Sequence, residues 1–247
     1  MFNKRIIPCL LVRGNGLVKT RKFKDPIYIG DPVNAVRIFS EKEVDEVIIL
    51  DIDATLEKRE PNYELISEIA GECFMPIAYG GGINSLRQVK KLIRSGVEKV
   101  VINSAACDSI NLIHEVAQIF GSQAVVVGID VRKKMLGGYR IFSHSATRET
   151  PLKLDTYLTD LVNAGAGEIF INSVDRDGTM IGYDLELIAH ITKCVNIPVI
   201  AAGGAGSLAH LSEAIHSGAS AASAGSIFVF YGKHKAVLIN YPSGLII

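Results

Sequence analysis

Eight short apolar runs recur along this chain at regular intervals: RIIPCLL, EVIILDI, MPIAYG, KVVIN, AVVVGID, EIFINS, IPVIAAG and ASAASAG. They are too continuous for half-exposed antiparallel strands and suit a parallel sheet covered on both faces. Helix-length amphipathic stretches lie between them. In SLRQVKKLIRSG, Leu86, Val89, Leu92 and Ile93 form one apolar stripe, with Ser85 as N-cap and Gly96 as stop. Eight alternating strand–helix pairs predict an α/β fold, the (β/α)8 TIM barrel, because a doubly wound sheet normally needs fewer strands. No linker or shift in composition divides the chain, so residues 1–247 read as a single barrel domain.

The two halves resemble each other. GGINSLRQVKKLIRSGVEKVVINSA, from Gly81, matches GGAGSLAHLSEAIHSGASAASAGSI, from Gly203. At a constant offset, Ser85, Leu86, Ile93, Ser95, Gly96 and Ser104 recur as Ser207, Leu208, Ile215, Ser217, Gly218 and Ser226. A half-barrel repeat of this kind predicts a site with approximate twofold symmetry.

Composition excludes several classes. The chain carries 26 residues of each charge sign and no basic stripe interleaved with aromatics, which argues against nucleic acid. Cys9, Cys73, Cys107 and Cys194 are scattered, with no CxxC pair or zinc-type cluster, and read as reduced, mostly buried thiols. No metal or cofactor is implied. No apolar run approaches the roughly 20 residues of a membrane span and the N-terminus lacks a signal-peptide pattern, so the expected location is cytoplasmic.

In a TIM barrel the chemistry lies at the C-terminal strand ends. Gly80-Gly81-Gly82 follows the third run and Gly203-Gly204-Ala205-Gly206 the seventh, each leading into a helix. Unobstructed backbone N–H groups there suit phosphate, although tight packing explains glycine equally well. Asn103-Ser104 and Gly225-Ser226 are the repeat-related partners that would close each cradle. Together they predict a substrate with a phosphate at each end. Acids also gather at the mouth: Asp51 and Asp53, then Asp130, then Asp175 and Asp177 beside Arg176 and Gly178. Asp53 and Asp175 read equally well as turn formers. Asp130 closes an apolar run, so its carboxyl faces the mouth from a poorly hydrated wall and suits general acid–base work. At the opposite end Arg5, Glu46, Lys99 and Glu168 alternate in sign just before four of the runs. Salt bridges closing the barrel floor are the plain reading of that ring. Of six histidines, only His144 is expected near the mouth.

Across nearly the whole length, motifs such as KRIIPCL, YGGGI, INSAA, DRDGT, GYDLEL and GGAG resemble the cyclase subunit of imidazole glycerol phosphate synthase. In that family a glutaminase subunit docks on the barrel floor and releases ammonia, which crosses the barrel. At the mouth a ribulosyl substrate with two phosphates is aminated, split and cyclised in histidine biosynthesis. The resemblance implies that Arg5, Glu46, Lys99 and Glu168 form the ammonia gate. It also implies that Gly82, Asn103, Ser104, Asp177, Gly178, Gly203, Gly204, Gly225 and Ser226 serve the phosphates. Lys19 maps onto a mobile first loop, with Asp51 beside the substrate, and Asp130 onto one of two catalytic aspartates.

The second aspartate is absent. Aligning IIPCLLVR on VVVGIDVR sets Leu11 opposite Asp130, and leucine moves no proton. The related barrel isomerase of the same pathway also uses an acid there, so the loss counts against it too. FSHSATRETPL lacks the glycine-glycine-arginine run usual in the cyclases, VKTRKFKDPIYIGDP is unusually basic, and the tail FVFYGKHKAVLINYPSG is atypical. These departures resemble a divergent branch that accompanies a glutaminase-like partner and a sugar amidotransferase in surface-polysaccharide synthesis. There the barrel would pass ammonia to amidate a nucleotide-linked sugar. A working cyclase in which Asp130, Asp51 or water compensates, and a bisphosphate-sensing activator of the glutaminase, are the alternatives.

Overall fold

The computed structural model describes residues 4–242. Its strands are β1 (Arg5–Arg13), β2 (Gly16–Arg21), β3 (Lys24–Gly30), β4 (Val47–Asp51), β5 (Ile77–Gly80), β6 (Lys99–Ile102) and β7 (Val125–Lys133). They continue with β8 (Tyr139–Ser143), β9 (Arg148–Glu149), β10 (Glu168–Ser173), β11 (Val199–Ala202), β12 (Ala221–Ala224), β13 (Phe230–Tyr231) and β14 (Ala236–Val237). The helices are α1 (Pro32–Glu41), α2 (Tyr63–Gly71), α3 (Leu86–Arg94), α4 (Ser104–Asp108), α5 (Asn111–Phe120), α6 (Leu154–Ala164), α7 (Leu185–Cys194), α8 (Leu208–His216) and α9 (Ser226–Val229).

Eight strands pair in parallel in the circular order β1, β4, β5, β6, β7, β10, β11, β12, and the β7–β10 and β12–β1 pairings close the ring. This is a (β/α)8 barrel. Strand parity divides its apolar residues into two cores. Ile7, Ile48, Val126, Phe170 and Ile200 fill the barrel interior, while their strand neighbours Ile6, Ile49, Val127 and Ile169 pack outward under the helices. With both faces covered, the strands read as unbroken apolar runs.

The repeat is visible in the backbone. Ser85 and Ser207, capping α3 and α8, have φ of −151° and −153°. Asn103 and Gly225, before α4 and α9, have φ of −118° and −117°. Repeat-related strands lie four places apart around the ring, so β5 faces β11, β6 faces β12 and β1 faces β7 across the axis.

Two stretches differ from the loops expected of them. The segment after β1 is an antiparallel hairpin of β2 and β3, joined to the upper end of β1 through Leu11 and Val18. Asp130 does not close its strand: β7 runs on to Lys133 and turns back into β8, which pairs Asp130 with Phe142. The last two residues of the atypical tail, Ser243 and Gly244, lie outside the described residues.

Candidate active site

The strands open at their C-terminal ends into a cavity of about 540 Å³. Leu11, Asp51, Asn103, Asp130, Asn172 and Ser223 are among its lining residues. Asp130 is buried and accepts a hydrogen bond from Asn103 Nδ2 at 2.8 Å. Burial pushes its carboxyl up to about 7, against the opposing pull of Asn103. The group therefore exchanges its proton near neutrality, as a general acid–base requires.

Leu11 occupies the opposite wall. It pairs with Leu50 in register and packs with it against the interior apolar cluster. Asp51 is tied to neighbouring groups on both carboxylate oxygens. Its Oδ1 accepts from Arg59 Nη2 at 2.8 Å and from the backbone of Asp53 and Ala54, and its Oδ2 accepts from Arg59 Nη1 at 2.7 Å. Asp53 pairs with Arg13 at 2.8 Å, and Asp175 caps the backbone of Lys133 at 3.0 Å.

The β2–β3 hairpin folds over the mouth. Lys19 is buried, with its Nζ donating to the Cys9 carbonyl at 2.9 Å. Burial holds this amine below the ordinary lysine range, although Cys9 and Asp177 favour its charge. Asp177 lines the cavity, and its carboxylate latches the hairpin. It accepts from Thr20 Oγ1 at 3.0 Å and from the Phe23 N–H, while its carbonyl accepts from Lys22 N.

Two of the expected cradle glycines also make room for this closure. A Cβ on Gly178 would stand 2.1 Å from the Thr20 carbonyl oxygen, and one on Gly225 would stand 1.7 Å from Lys19 Nζ. Gly82, Gly203 and Gly204 have positive φ, and a Cβ on each would meet neighbouring backbone within 2.7 Å. Packing alone thus requires glycine at these five positions. Ser104 and Ser226 begin the facing short helices α4 and α9. Ser104 Oγ accepts from the His144 N–H at 3.0 Å, which ties the β8 side of the mouth to α4.

At the other end the four floor charges form a closed ring. Arg5 contacts Glu46 at 2.6 Å and Glu168 at 2.7 Å, and Lys99 contacts both glutamates at 2.8 Å. Burial alone would raise the Glu168 carboxyl, but Arg5 and Lys99 together hold it below the ordinary range.

Sequence reasoning missed Asn172, which is buried, neighbours Asp130 on the next strand and leaves its Oδ1 without a partner. Parity would have found it, since Glu168, Phe170 and Asn172 share one face of β10. It also missed His210, whose Nδ1 accepts from the Gly206 N–H at 3.1 Å in the turn after β11, while His144 lines the mouth. Cys9 is buried as expected, but Cys73 and Cys107 are half-buried and Cys194 is exposed.

The family model described as "Histidine biosynthesis protein" matches residues 5–235. The chain belongs to that family. It is 55% identical, over 98% of its own length and 97% of the relative's, to a Pseudomonas aeruginosa protein provisionally named imidazole glycerol phosphate synthase subunit hisF2. A Leptospira borgpetersenii protein, provisionally named imidazole glycerol phosphate synthase subunit HisF, is 50% identical over 99% of this chain and 97% of its own. A Thermotoga sp. imidazole glycerol phosphate synthase subunit HisF is 42% identical over 93% of this chain and 90% of its own. The chain is thus a cyclase-like subunit of the histidine biosynthesis family. Among the described residues no helix is long and apolar enough to cross a membrane.

The Asp130 carboxyl makes stability depend on pH. Its unfolded value is about 4, so from there to about 7 the unfolded chain loses a proton that the folded chain keeps. Wild-type stability therefore falls across that window. Asp130→Asn is expected to gain stability relative to wild type as pH rises from 4 to 7, by on the order of 2–4 kcal/mol, and to hold that gain above 7. Parallel denaturant titrations at several pH values check this; a difference that does not change with pH contradicts it.

Proposed function

We propose that this chain is the barrel subunit of a glutamine-dependent amidotransferase system. It receives ammonia from a glutaminase partner at its floor and releases it at its mouth without performing cyclisation. The acceptor is a nucleotide-linked sugar of surface-polysaccharide synthesis, amidated by a separate enzyme. The observation that carries this reading is the pairing of a closed Arg5–Glu46–Lys99–Glu168 ring with a mouth holding one acid, Asp130, opposite Leu11.

The interior supports it. Between ring and mouth stand Ile7, Ile48, Ala78, Val126, Phe170 and Ile200, an apolar layer that penalises a charged ammonium and admits neutral ammonia. Glu46 Oε1 is buried in the ring without a hydrogen-bond partner, leaving an acceptor for an N–H donor. Asn103-Ser104 and Gly225-Ser226, facing each other across the mouth, retain the symmetric arrangement that suits a phosphate at each end.

One observation favours the second reading, a working cyclase: Asp130 is poised near neutrality and oriented by Asn103. Asp51 does not complete it, because its oxygens are already engaged by Arg59.

The test of the conduit follows nitrogen. Amide-labelled glutamine is supplied to the glutaminase-bound chain together with the sugar amidotransferase, its acceptor and excess unlabelled ammonium. Label retained in the amidated sugar is the expected result. Label diluted to the bulk ratio contradicts passage through the barrel and favours a sensor that only activates the glutaminase.

A further inference from the structure

Outside the mouth and the floor, three chemically dissimilar ligand groups meet on the outer helical layer. Asp155 lies in the first turn of α6, and His190 and Cys194 lie one turn apart on α7. Residues four apart on a helix share a face, so the imidazole and thiol project together. His190 Nε2 is 2.6 Å from Asp155 Oδ1 and 3.9 Å from Cys194 Sγ. All three candidate ligand atoms lie within 4.8 Å of one another, and all three residues are exposed.

We propose that Asp155, His190 and Cys194 form a surface site for a transition-metal ion of the zinc class, joining α6 to α7.

The donor set selects the metal. One nitrogen, one thiolate sulfur and one carboxylate oxygen suit borderline-soft Zn²⁺, whereas Mg²⁺ and Ca²⁺ take oxygen donors. The spacing suits it as well. Tetrahedral zinc with the usual bond lengths sets its ligand atoms roughly 3.3–3.6 Å apart. The sulfur–nitrogen pair needs to close by only a few tenths of an ångström. The oxygen–nitrogen pair needs to open, which the exposed Asp155 side chain can do by rotation. Metal would replace the His190–Asp155 hydrogen bond and leave a fourth position for water or a donor from another molecule.

Among the described residues no other group of three such side chains meets this way. The other thiols are poorer ligands: Cys9 is buried, Cys73 Sγ donates to the Met75 carbonyl, and Cys107 Sγ accepts from Tyr157. The place matters because α6 leads into β10 and α7 follows it. A metal there would clamp the unit that carries Glu168 at the floor and Asp177 at the hairpin latch.

The test is a cobalt and zinc titration of the reduced, metal-free full chain. One equivalent of Co²⁺ is expected to give a near-ultraviolet thiolate-to-cobalt band that Zn²⁺ displaces, with zinc affinity on the order of micromolar. Cys194→Ser should abolish the band, and His190→Ala should weaken zinc binding by about tenfold or more. Cys107→Ser should leave both unchanged. Zinc should raise the unfolding temperature of wild type and not of His190→Ala. These two ligand variants are exposed, and circular dichroism verifies their fold. A band that survives Cys194→Ser, or equal zinc affinity in wild type and His190→Ala, would overturn the assignment and leave an interhelical His190–Asp155 hydrogen bond.

Discussion

Leu11→Asp is expected to raise cyclase turnover of the ribulosyl bisphosphate from background by about 10²-fold or more, the range a missing acid–base group accounts for. The geometry favours the gain. β1 and β7 face each other across the barrel, Leu11 already lines the cavity, and Asp130 is poised near neutrality. The carboxylate would leave the contact with Leu50 and the interior apolar cluster, at a stability cost of about 1–3 kcal/mol. Activity is therefore best measured well below the variant's unfolding temperature, with ammonium as the nitrogen source. Turnover that stays at background in a folded variant means that Leu11 is not the limiting lesion.

The floor ring carries the second large effect. Each cation bridges both glutamates, and the Glu46 and Glu168 side chains are 2% and 11% exposed. Lys99→Met leaves both carboxylates to Arg5 alone, and removing one partner from a buried ionic group costs about 3 kcal/mol or more. For a chain of this size that lowers the unfolding temperature by roughly 6–12 °C. Adding Glu168→Leu leaves Arg5 and Glu46 as a simple pair and should recover part of the loss, which a double-mutant cycle measures. An unchanged unfolding temperature in Lys99→Met would reduce the ring to solvated surface pairs.

The barrel was legible because each of its strands is buried on both faces and reads as an unbroken apolar run. The β2–β3 hairpin was not, for a physical reason. The first five residues of β3 are exposed, so no apolar alternation marks it, and pairing with β2 rather than burial holds it in place. Asp130 looked terminal because the charged Arg132 and Lys133 follow it, yet the backbone carries on into a hairpin above the barrel rim. At the site, the internal repeat alone sets Leu11 across from Asp130, and the fold places the two on facing strands lining one cavity. The engagement of Asp51 by Arg59 depends on a loop conformation that eight residues of spacing do not specify. The Asp155–His190–Cys194 cluster was equally hidden, since 35 residues separate its first two members and only helix packing joins them.

A barrel that passes ammonia, as proposed, with Leu11 in place of half its acid–base pair should not cyclise. The wild-type chain, purified with its glutaminase partner, is given the ribulosyl bisphosphate and saturating ammonium, and the imidazole product is followed. No product above background is expected. Sustained turnover by the wild-type complex, with Leu11 in place, would contradict it.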